Sequence, residues 1–331
     1  MSDVLVSISC VVYNHAPYLR RCLDSLVNQK TNFNYEILIH DDASTDGSAE
    51  IIREYEEKYP HLIKAICQTE NQHSKGVKIY FTYQHPRAAG KYFAMCEGDD
   101  YWCDEHKLQR QVDAMEQHPE CTLCVHRVQG VNVDETSNGK FFPAESQAEG
   151  VYDGKEMVRG LFRGNSYPFQ TSSYLYRTEY YTTRLPEPYP WMRIAISGDV
   201  VRLLYLGDLG DIYYLDDVMS CNRMNVAGSF SARTNQNLGY RVKAANNFIQ
   251  VLKGYDEYTN GRYRDLIKAD VAQREFNVLK MQFRTKEMKS PPYRERYRAM
   301  PFIQRVCYSL VQYLPFTKPL MYRLRAKLRI R

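Results

Sequence analysis

Short apolar runs alternate with amphipathic helical patterns in the first 128 residues, and this alternation constrains the fold more than any other feature. The apolar runs cover residues 5–13, 35–40, 62–67 and 91–96. Apolar side chains at helical spacing follow the first, second and fourth runs. Because strands that alternate with helices form parallel sheets, the sequence predicts an α/β fold with a mostly parallel sheet flanked by helices.

Polar residues stand directly after three of these runs. They are Tyr13-Asn14, Asp41-Asp42 and Glu97-Gly98-Asp99-Asp100. In open α/β sheets, ligands bind beyond the carboxyl ends of the strands. We therefore expect these three loops to form one site.

The acidic segment Glu97-Gly98-Asp99-Asp100 is the strongest candidate for chemistry. Carboxylates placed this close together raise one another's pKa unless a cation neutralises them. Mg²⁺ or Mn²⁺ suits such oxygen ligands, and Mg²⁺ is usually held by one or two carboxylates plus substrate phosphates. The alternative for this segment is a solvated acidic turn. At Asp41-Asp42, the carboxylates could bind a nucleotide base or ribose, and the alternative is that this pair caps a helix.

Several classes of function are disfavoured. No GxGxxG or GxxxxGK[ST] follows the first strand, and no GxSxG is present, which argues against dinucleotide-binding, P-loop and serine-hydrolase sites. The net charge of +5 is too small to indicate nucleic-acid binding. The N-terminus lacks the pattern of a signal peptide, and no apolar run is long enough for a transmembrane helix, so we expect a cytoplasmic protein with reduced cysteines.

Three segments carry a resemblance to a known family. VSISCVVYNHAPYLRRCLDSLVNQ, YEILIHDDASTDGSAEII and KYFAMCEGDDYWCDEHKLQRQVD resemble the family 2 inverting glycosyltransferases of the GT-A fold, as found in bacterial polysaccharide and lipopolysaccharide synthesis. The resemblance is close over residues 4–128 and continues to about residue 230.

This resemblance implies a role for each matching position. The nucleotide-binding residues would be Val11, Tyr13, Asp42, Glu97 and Gly98. Asp99, the last acid of a DXD-like triplet, would bind the metal ion, Mg²⁺ or Mn²⁺, that bridges the donor diphosphate. Asp199, in ISGDVV, would be the general base, with the alternative that it caps the helix that follows.

Four further residues are expected at the donor or acceptor pocket. Trp102 could stack on a sugar ring at the rim of the site, although a buried position is the commoner fate of tryptophan. Gln170 and Thr171 could line the acceptor pocket. Arg223 stands where the family often has an Arg followed by a His, and it could meet phosphate charge.

The chain is expected to have three parts, which are a catalytic domain (1–235), a helical extension (236–292) and a basic amphipathic tail (293–331). Residues 316–331 contain no acidic residue, while Lys and Arg are frequent. A basic amphipathic segment is typical of binding to an anionic membrane surface, and the alternative is a helix packed on protein. The tail thus predicts a peripheral protein on the inner face of the cell membrane.

Together these features predict an inverting, metal-assisted glycosyltransferase that moves a sugar from a nucleotide-sugar donor, a UDP-sugar, to a glycan or lipid-linked acceptor. Two alternatives remain open at this point. One is a catalytically inactive GT-A-like module that binds a nucleotide or a glycan. The other is a metal-dependent nucleotidyltransferase.

Overall fold

The computed structural model describes residues 4–163, 169–185, 187–226 and 228–317 of the chain. The strands in these ranges are β1 (Val4–Val12), β2 (Asn34–Asp41), β3 (Ile63–Cys67), β4 (Tyr92–Met95), β5 (Tyr101–Trp102), β6 (Cys121–Val131), β7 (Ser137–Phe142), β8 (Gly150–Tyr152), β9 (Leu175–Arg177) and β10 (Asp211–Arg223). The helices are α1 (Ala16–Val27), α2 (Ser48–Lys58), α3 (Lys107–Gln117), α4 (Gly154–Phe162), α5 (Glu179–Thr182), α6 (Pro190–Arg193), α7 (Asp199–Leu209), α8 (Phe230–Gln236), α9 (Leu238–Tyr258), α10 (Arg264–Gln282), α11 (Thr285–Met288), α12 (Arg294–Arg298) and α13 (Phe302–Tyr313).

One sheet organises the N-terminal two thirds of the chain. Its strand order is β3-β2-β1-β4-β9-β6-β10-β5, with β7 beside β6 and β8 beside β10. The four apolar runs form β1 to β4, which pair in parallel, and β6 and β10 are also parallel. The predicted α/β fold, a mostly parallel sheet flanked by helices, is confirmed.

The core explains why these segments fold as they do. Alternate residues of β1 from Val6 to Val12 are fully buried, and α1 packs against them with the apolar stripe Leu19, Leu23 and Leu26. Each such side chain contributes about 1.5–3 kcal/mol when it is removed from water. This packing fixes the end of β1, where the polar loops begin.

Two segments differ from what their residues indicate. Residues 131–150 are rich in Asn, Glu and Ser, which is typical of a loop, but they contain β7 and lead into β8, which pair antiparallel with β6 and β10. Their side chains are mostly solvent-exposed, so the apolar alternation that marks a strand is missing. The segment YPFQTSSYLYR (167–177) has the residues of a strand, but within its described part, 169–177, only β9 is a strand.

The chain divides into two compact units. The first comprises Met1–Arg193 and Ser197–Ser231 and contains the whole sheet. The second comprises Ile194–Ile196 and Ala232–Arg331, and its described part is helical, with an apolar core that includes Phe276, Met288 and Tyr308. The helical C-terminal extension is therefore present. Among the described helices, none has the length and apolar character needed to cross a membrane.

Candidate active site

The end of β1 connects the three polar loops predicted to form a site. The carbonyl of Val11 accepts a hydrogen bond from the amide of Gly98 at 3.0 Å, and the carbonyl of Val12 accepts one from the amide of Asp42 at 2.9 Å. Tyr13, just beyond the strand, is 48% exposed, so its ring is available to a ligand. The structure thus brings Val11, Tyr13, Asp42 and the acidic segment together at one edge of the sheet.

Gly98 allows the acidic segment to lie directly on the core. A Cβ atom at this position would lie 2.9 Å from Cγ2 of Val12 and 3.0 Å from Nδ1 of His15. Both distances are shorter than ordinary van der Waals contacts. Glycine is therefore required here for close packing.

The acids of this segment differ in their hydrogen bonds. Asp100 is buried and accepts hydrogen bonds from Nδ2 of Asn222, at 3.0 and 3.1 Å, and from the amide of Arg223 at 2.8 Å. The carboxylates of Glu97 and Asp99 accept no hydrogen bond from the residues that the structure describes. Asp100 therefore braces the loop, while Glu97 and Asp99 keep their oxygens open.

Electrostatic interactions join Asp199 to this segment. Burial, together with the charges of Asp99 and Asp199, raises the pKa of Glu97 to about 8, although the cation of Arg202 acts in the opposite direction. Burial, with the charge of Asp99, also raises the pKa of Asp100 well above its usual range. Such a concentration of negative charge in a partly buried site favours a bound cation.

Asp199 is the first residue of α7. The residue that caps this helix is Gly198, and Asp199 makes no capping hydrogen bond; one of its carboxylate oxygens, Oδ1, instead accepts a hydrogen bond from the Ser197 hydroxyl at 2.7 Å. The capping role that the sequence left open is thus not the one observed. The second oxygen, Oδ2, accepts no hydrogen bond from the described residues.

Sequence reasoning missed Arg202, which lies one helical turn after Asp199. Its guanidinium is buried and lies 4.1 Å from the centre of the Tyr80 ring. Its charge acts on Glu97 and on Asp199. A charged residue inside the apolar stretch VVRLLYL was the available signal, because a buried arginine usually has an acidic partner.

Asp42 lies where the sequence predicted, but its carboxylate is engaged by the protein. It is 2% exposed, and its two oxygens accept hydrogen bonds from the amides of Gln72 (2.7 Å) and His73 (3.0 Å). These bonds hold the segment after β3 against the end of β2. Contact between Asp42 and a base remains a prediction.

Trp102 does not lie at the rim of the site, where it was expected. It is 3% exposed, its indole N–H donates to the carbonyl of Ser172 at 3.1 Å, and Nζ of Lys107 lies 3.9 Å from its ring centre. Thr171 is buried in the same region and Gln170 is half-buried, and a role of either residue in the acceptor pocket stays a prediction. The acidic residues before Trp102 suggested exposure, but its position in β5 points the ring into the core.

Arg223 was expected to meet phosphate, but its guanidinium is occupied by the protein. The side chain is only 1% exposed. Nε donates to the carbonyl of Asp99 at 3.0 Å, Nη1 to the carbonyl of Val133 at 3.2 Å, and Nη2 to a carboxylate oxygen of Glu135 at 3.1 Å. Arg223 thus holds the acidic segment from behind.

The donor set of this site fits a hard divalent cation that is shared with a substrate. Among the described residues, no group of three His, Cys, Asp or Glu side chains is arranged to hold a metal ion. Glu97 and Asp99 are nevertheless uncommitted, and the Nδ1 atom of the neighbouring His15 is buried without a hydrogen-bond partner. One or two protein ligands completed by substrate phosphates is the usual arrangement for Mg²⁺.

The comparisons with known proteins agree with this geometry. The model of the family "Glycosyl transferase family 2" matches residues 7–180, more than half of the chain. An uncharacterized protein of Mycobacterium tuberculosis is 35% identical over 204 residues, which cover 60% of this chain and 56% of that protein. The chain therefore spans little more than half the length of this relative.

Solved structures show the same fold at low identity. The S. aureus protein TarS, in complex with UDP-GlcNAc, has a TM-score of 0.53 and 17% identity, with 88% of this chain and 82% of that chain covered. A mannosyltransferase from Pyrobaculum calidifontis, in complex with GDP-Man and Mn²⁺, has a TM-score of 0.53 and 14% identity, with 100% of this chain and 91% of that chain covered. The GT-A fold expected from the three sequence segments is thereby confirmed. The family model, which matches more than half of the chain, shows that the chain belongs to glycosyl transferase family 2.

Proposed function

We propose that this protein transfers a sugar from a UDP-sugar to a hydroxyl of a glycan or lipid-linked acceptor, with inversion at the anomeric carbon. The observation that carries the proposal is the difference in hydrogen bonding among the acids. Glu97 and Asp99 have open carboxylates and Asp199 has one open oxygen, while the neighbouring Asp42 and Asp100 are satisfied by the protein. Partly buried carboxylates without donors are stabilised by a cation or a substrate hydroxyl.

In this mechanism each residue has a distinct task. Asp99, with Glu97 beside it, would hold a Mg²⁺ or Mn²⁺ ion. When bound, the ion would neutralise the charge that develops on the leaving nucleoside diphosphate. Val11 and Tyr13 line the base, and Asp42 fixes the loop around it.

The transfer itself is a single displacement. Asp199 accepts the proton of the acceptor hydroxyl while the oxygen of that hydroxyl bonds to the anomeric carbon. The bond from that carbon to the donor phosphate breaks, and its electron pair leaves with the nucleoside diphosphate. Ser197 orients the carboxylate of Asp199 through the hydrogen bond to Oδ1.

A donor screen tests this proposal. UDP-, GDP- and CMP-sugars are incubated with the protein and Mn²⁺, and release of the nucleotide is measured beside binding. We expect release from a UDP-sugar, which Asp199→Asn lowers at least about 100-fold with donor binding retained. Asp99→Asn should abolish metal-dependent donor binding, and the exposed Asp113→Asn is the matched control.

The same screen separates the alternatives. Donor binding without release at any metal concentration would favour an inactive binding module. Pyrophosphate release from a nucleoside triphosphate and a sugar phosphate would favour a nucleotidyltransferase. Full activity in Asp199→Asn would refute the assignment of the base, and an unchanged anomeric configuration in the product, seen by NMR, would refute inversion.

We also propose that the second unit binds an anionic membrane surface, which would bring the enzyme to a lipid-linked acceptor. On α13, Phe302 and Ile303 are 71% and 72% exposed, and they begin an apolar face that continues through Val306 and Leu310. The basic residues after 317 lie outside the described residues. Apolar side chains next to a cationic segment are typical of interfacial helices.

Sedimentation with vesicles tests this surface. We expect the full chain to sediment with vesicles that contain phosphatidylglycerol and to remain in solution with phosphatidylcholine vesicles. Ile303→Ser should weaken sedimentation, because it removes an apolar contact with the lipid, and the exposed His61→Gln is the control. Dimerisation through α13 in light scattering, with unchanged sedimentation of Ile303→Ser, would contradict membrane binding.

A further inference from the structure

His15 faces the acidic segment across a gap that no hydrogen bond closes. Its Nε2 atom lies 3.8 Å from Oδ2 of Asp99, which is too long for a hydrogen bond. Its Nδ1 atom has no hydrogen-bond partner among the described residues. The imidazole therefore has no hydrogen-bond partner among the described residues, and it faces the carboxylate that we propose to bind the metal ion.

The backbone around His15 is fixed in place by residues 44–48, at the start of α2. Asn14 adopts a left-handed conformation, with φ of 57°, at the end of β1. Three consecutive amides then donate to side chains of that segment. They are those of Asn14 to the Ser44 hydroxyl (2.8 Å), His15 to the Ser48 hydroxyl (3.1 Å) and Ala16 to Oδ2 of Asp46 (2.9 Å).

This anchoring has a consequence for the side chain. None of the three hydrogen bonds uses the imidazole, so they hold the Cα of His15 and leave the ring free. The carbonyl of His15 accepts from the amides of Tyr18 and Leu19 and so begins α1. The backbone of His15 is thus fixed, while the imidazole can bind a ligand on the side that faces Asp99.

We propose that His15 is a protein ligand of the divalent cation, together with Asp99. This inference rests on the proposed metal role of Asp99. Two metal–ligand bonds of about 2.1 Å span up to about 4.2 Å, so atoms 3.8 Å apart are within reach of one ion.

The imidazole also determines which ion is preferred. Mg²⁺ is a hard cation that takes oxygen ligands, whereas imidazole nitrogen favours transition-metal ions. An imidazole in place of one oxygen ligand therefore weakens the binding of Mg²⁺ relative to that of Mn²⁺, which is a first-row transition-metal ion.

Pulsed electron paramagnetic resonance of bound Mn²⁺ tests the ligand directly, without turnover. The full chain is loaded with Mn²⁺ in the presence of UDP, and of GDP in parallel. We expect ¹⁴N modulation from a coordinated imidazole, which changes when the protein is grown with ¹⁵N-histidine and disappears in His15→Gln. Lack of ¹⁴N modulation in the parent protein refutes the inference without any variant.

Binding titrations provide the second measurement. His15→Gln should weaken Mn²⁺ at least about tenfold, as the loss of groups around a metal commonly does, and should change Mg²⁺ much less. Exposed His61→Gln is the matched control. Mn²⁺ affinity of His15→Gln within twofold of the parent would overturn the assignment.

The outcomes also separate this inference from the proposed function. If Asp99→Asn loses Mn²⁺ while His15→Gln keeps it, only the role of His15 is wrong. If the parent binds no Mn²⁺ with either nucleotide, the metal role of Asp99 fails as well. If His15→Gln instead weakens UDP in the absence of metal, His15 contacts phosphate, and metal ligation is refuted.

Discussion

Two buried histidines should make the first unit sensitive to mild acid. His85 stacks on Tyr181 with ring centres 4.5 Å apart, and its Nε2 lies 2.8 Å from the Tyr176 hydroxyl. Burial, assisted by the charge of Arg202, holds the pKa of His85 well below its usual range. Burial likewise lowers the pKa of His126 on β6, where the charges of Lys107 and Arg110 add to the effect and a hydrogen bond to the Arg127 carbonyl opposes it.

The sign and size of the effect follow from proton linkage. An unfolded histidine binds a proton below about pH 6.5, whereas these two stay neutral in the folded protein. The unfolded state therefore binds more protons, and the free energy of unfolding falls as the pH drops below about 6.5. At pH 5.5 each histidine lowers it by about 1.4 kcal/mol, against about 0.1 kcal/mol at pH 7.5.

For both histidines the loss is nearly 3 kcal/mol, a large part of a typical stability of about 5–15 kcal/mol. Acids whose pKa is raised in the folded state, such as Glu97 and Asp41, act in the opposite direction. The measurement must therefore compare each variant with the parent at both pH values. In that comparison, the contributions of the acids cancel.

Urea denaturation followed by tryptophan fluorescence is the assay. Both tryptophans of the chain, Trp102 and Trp191, are buried in the first unit, so the signal reports the unit that contains the two histidines. Between pH 7.5 and 5.5, the free energy of unfolding should fall in His85→Gln and in His126→Gln by about 1.4 kcal/mol less than it falls in the parent. His61→Gln, an exposed position, controls for the substitution. Losses equal to that of the parent, within about 0.5 kcal/mol, would refute the reasoning.

Three further predictions concern the packing and the charges of the first unit. Gly90→Ala should destabilise it by about 1–3 kcal/mol in the same urea assay, because the new Cβ would lie 2.5 Å from the backbone nitrogen of Ser7, and an unchanged stability would contradict this close packing. Arg223→Lys should lower the free energy of unfolding by about 2–4 kcal/mol, because an ammonium cannot replace the guanidinium that binds three acceptors. It should also weaken metal-dependent donor binding. An unchanged stability would contradict the bracing role. Burial opposes the ionisation of Glu36, but hydrogen bonds from Lys64, Ser7 and the Ala89 amide outweigh this effect and lower the pKa of Glu36. Glu36→Gln should therefore lower the free energy of unfolding by about 1–3 kcal/mol at pH 7. This difference should disappear as the pH falls below the lowered pKa of Glu36.

The sequence predicted those parts of the fold that are marked by burial. Strands β1 to β4 were found because they are apolar runs, and helices α1, α2 and α3 because their apolar residues recur at helical spacing. Strands β7 and β8 were missed because their side chains are mostly solvent-exposed. An apolar pattern in the sequence indicates contact with a core. A strand whose side chains are exposed to solvent has no such pattern.

The candidate site was predicted less completely, because sequence position does not reveal hydrogen-bond partners. Arg223 and Trp102 are adjacent to functional loops in the sequence, yet both are buried and satisfied by backbone carbonyls. His15 was passed over because a single histidine after a strand is not a motif. Its interest comes only from its distance to Asp99, a residue 84 positions later in the chain, and that distance depends on the fold.

The assignment of the acids shows what the structure adds to the chemistry. In the sequence, Asp41, Asp42, Asp99, Asp100 and Asp199 are equivalent carboxylates near strand or helix ends. In the fold, Asp41 is bonded to Ser44, Asp42 to two amides, and Asp100 to Asn222 and Arg223. A carboxylate that the protein already satisfies gains little from a ligand, whereas an open one in a partly buried site is stabilised by a cation or a hydroxyl proton. Among these acids and Glu97, the open carboxylates are those of Glu97 and Asp99 and one oxygen of Asp199, and for that reason metal binding and proton transfer are proposed for them.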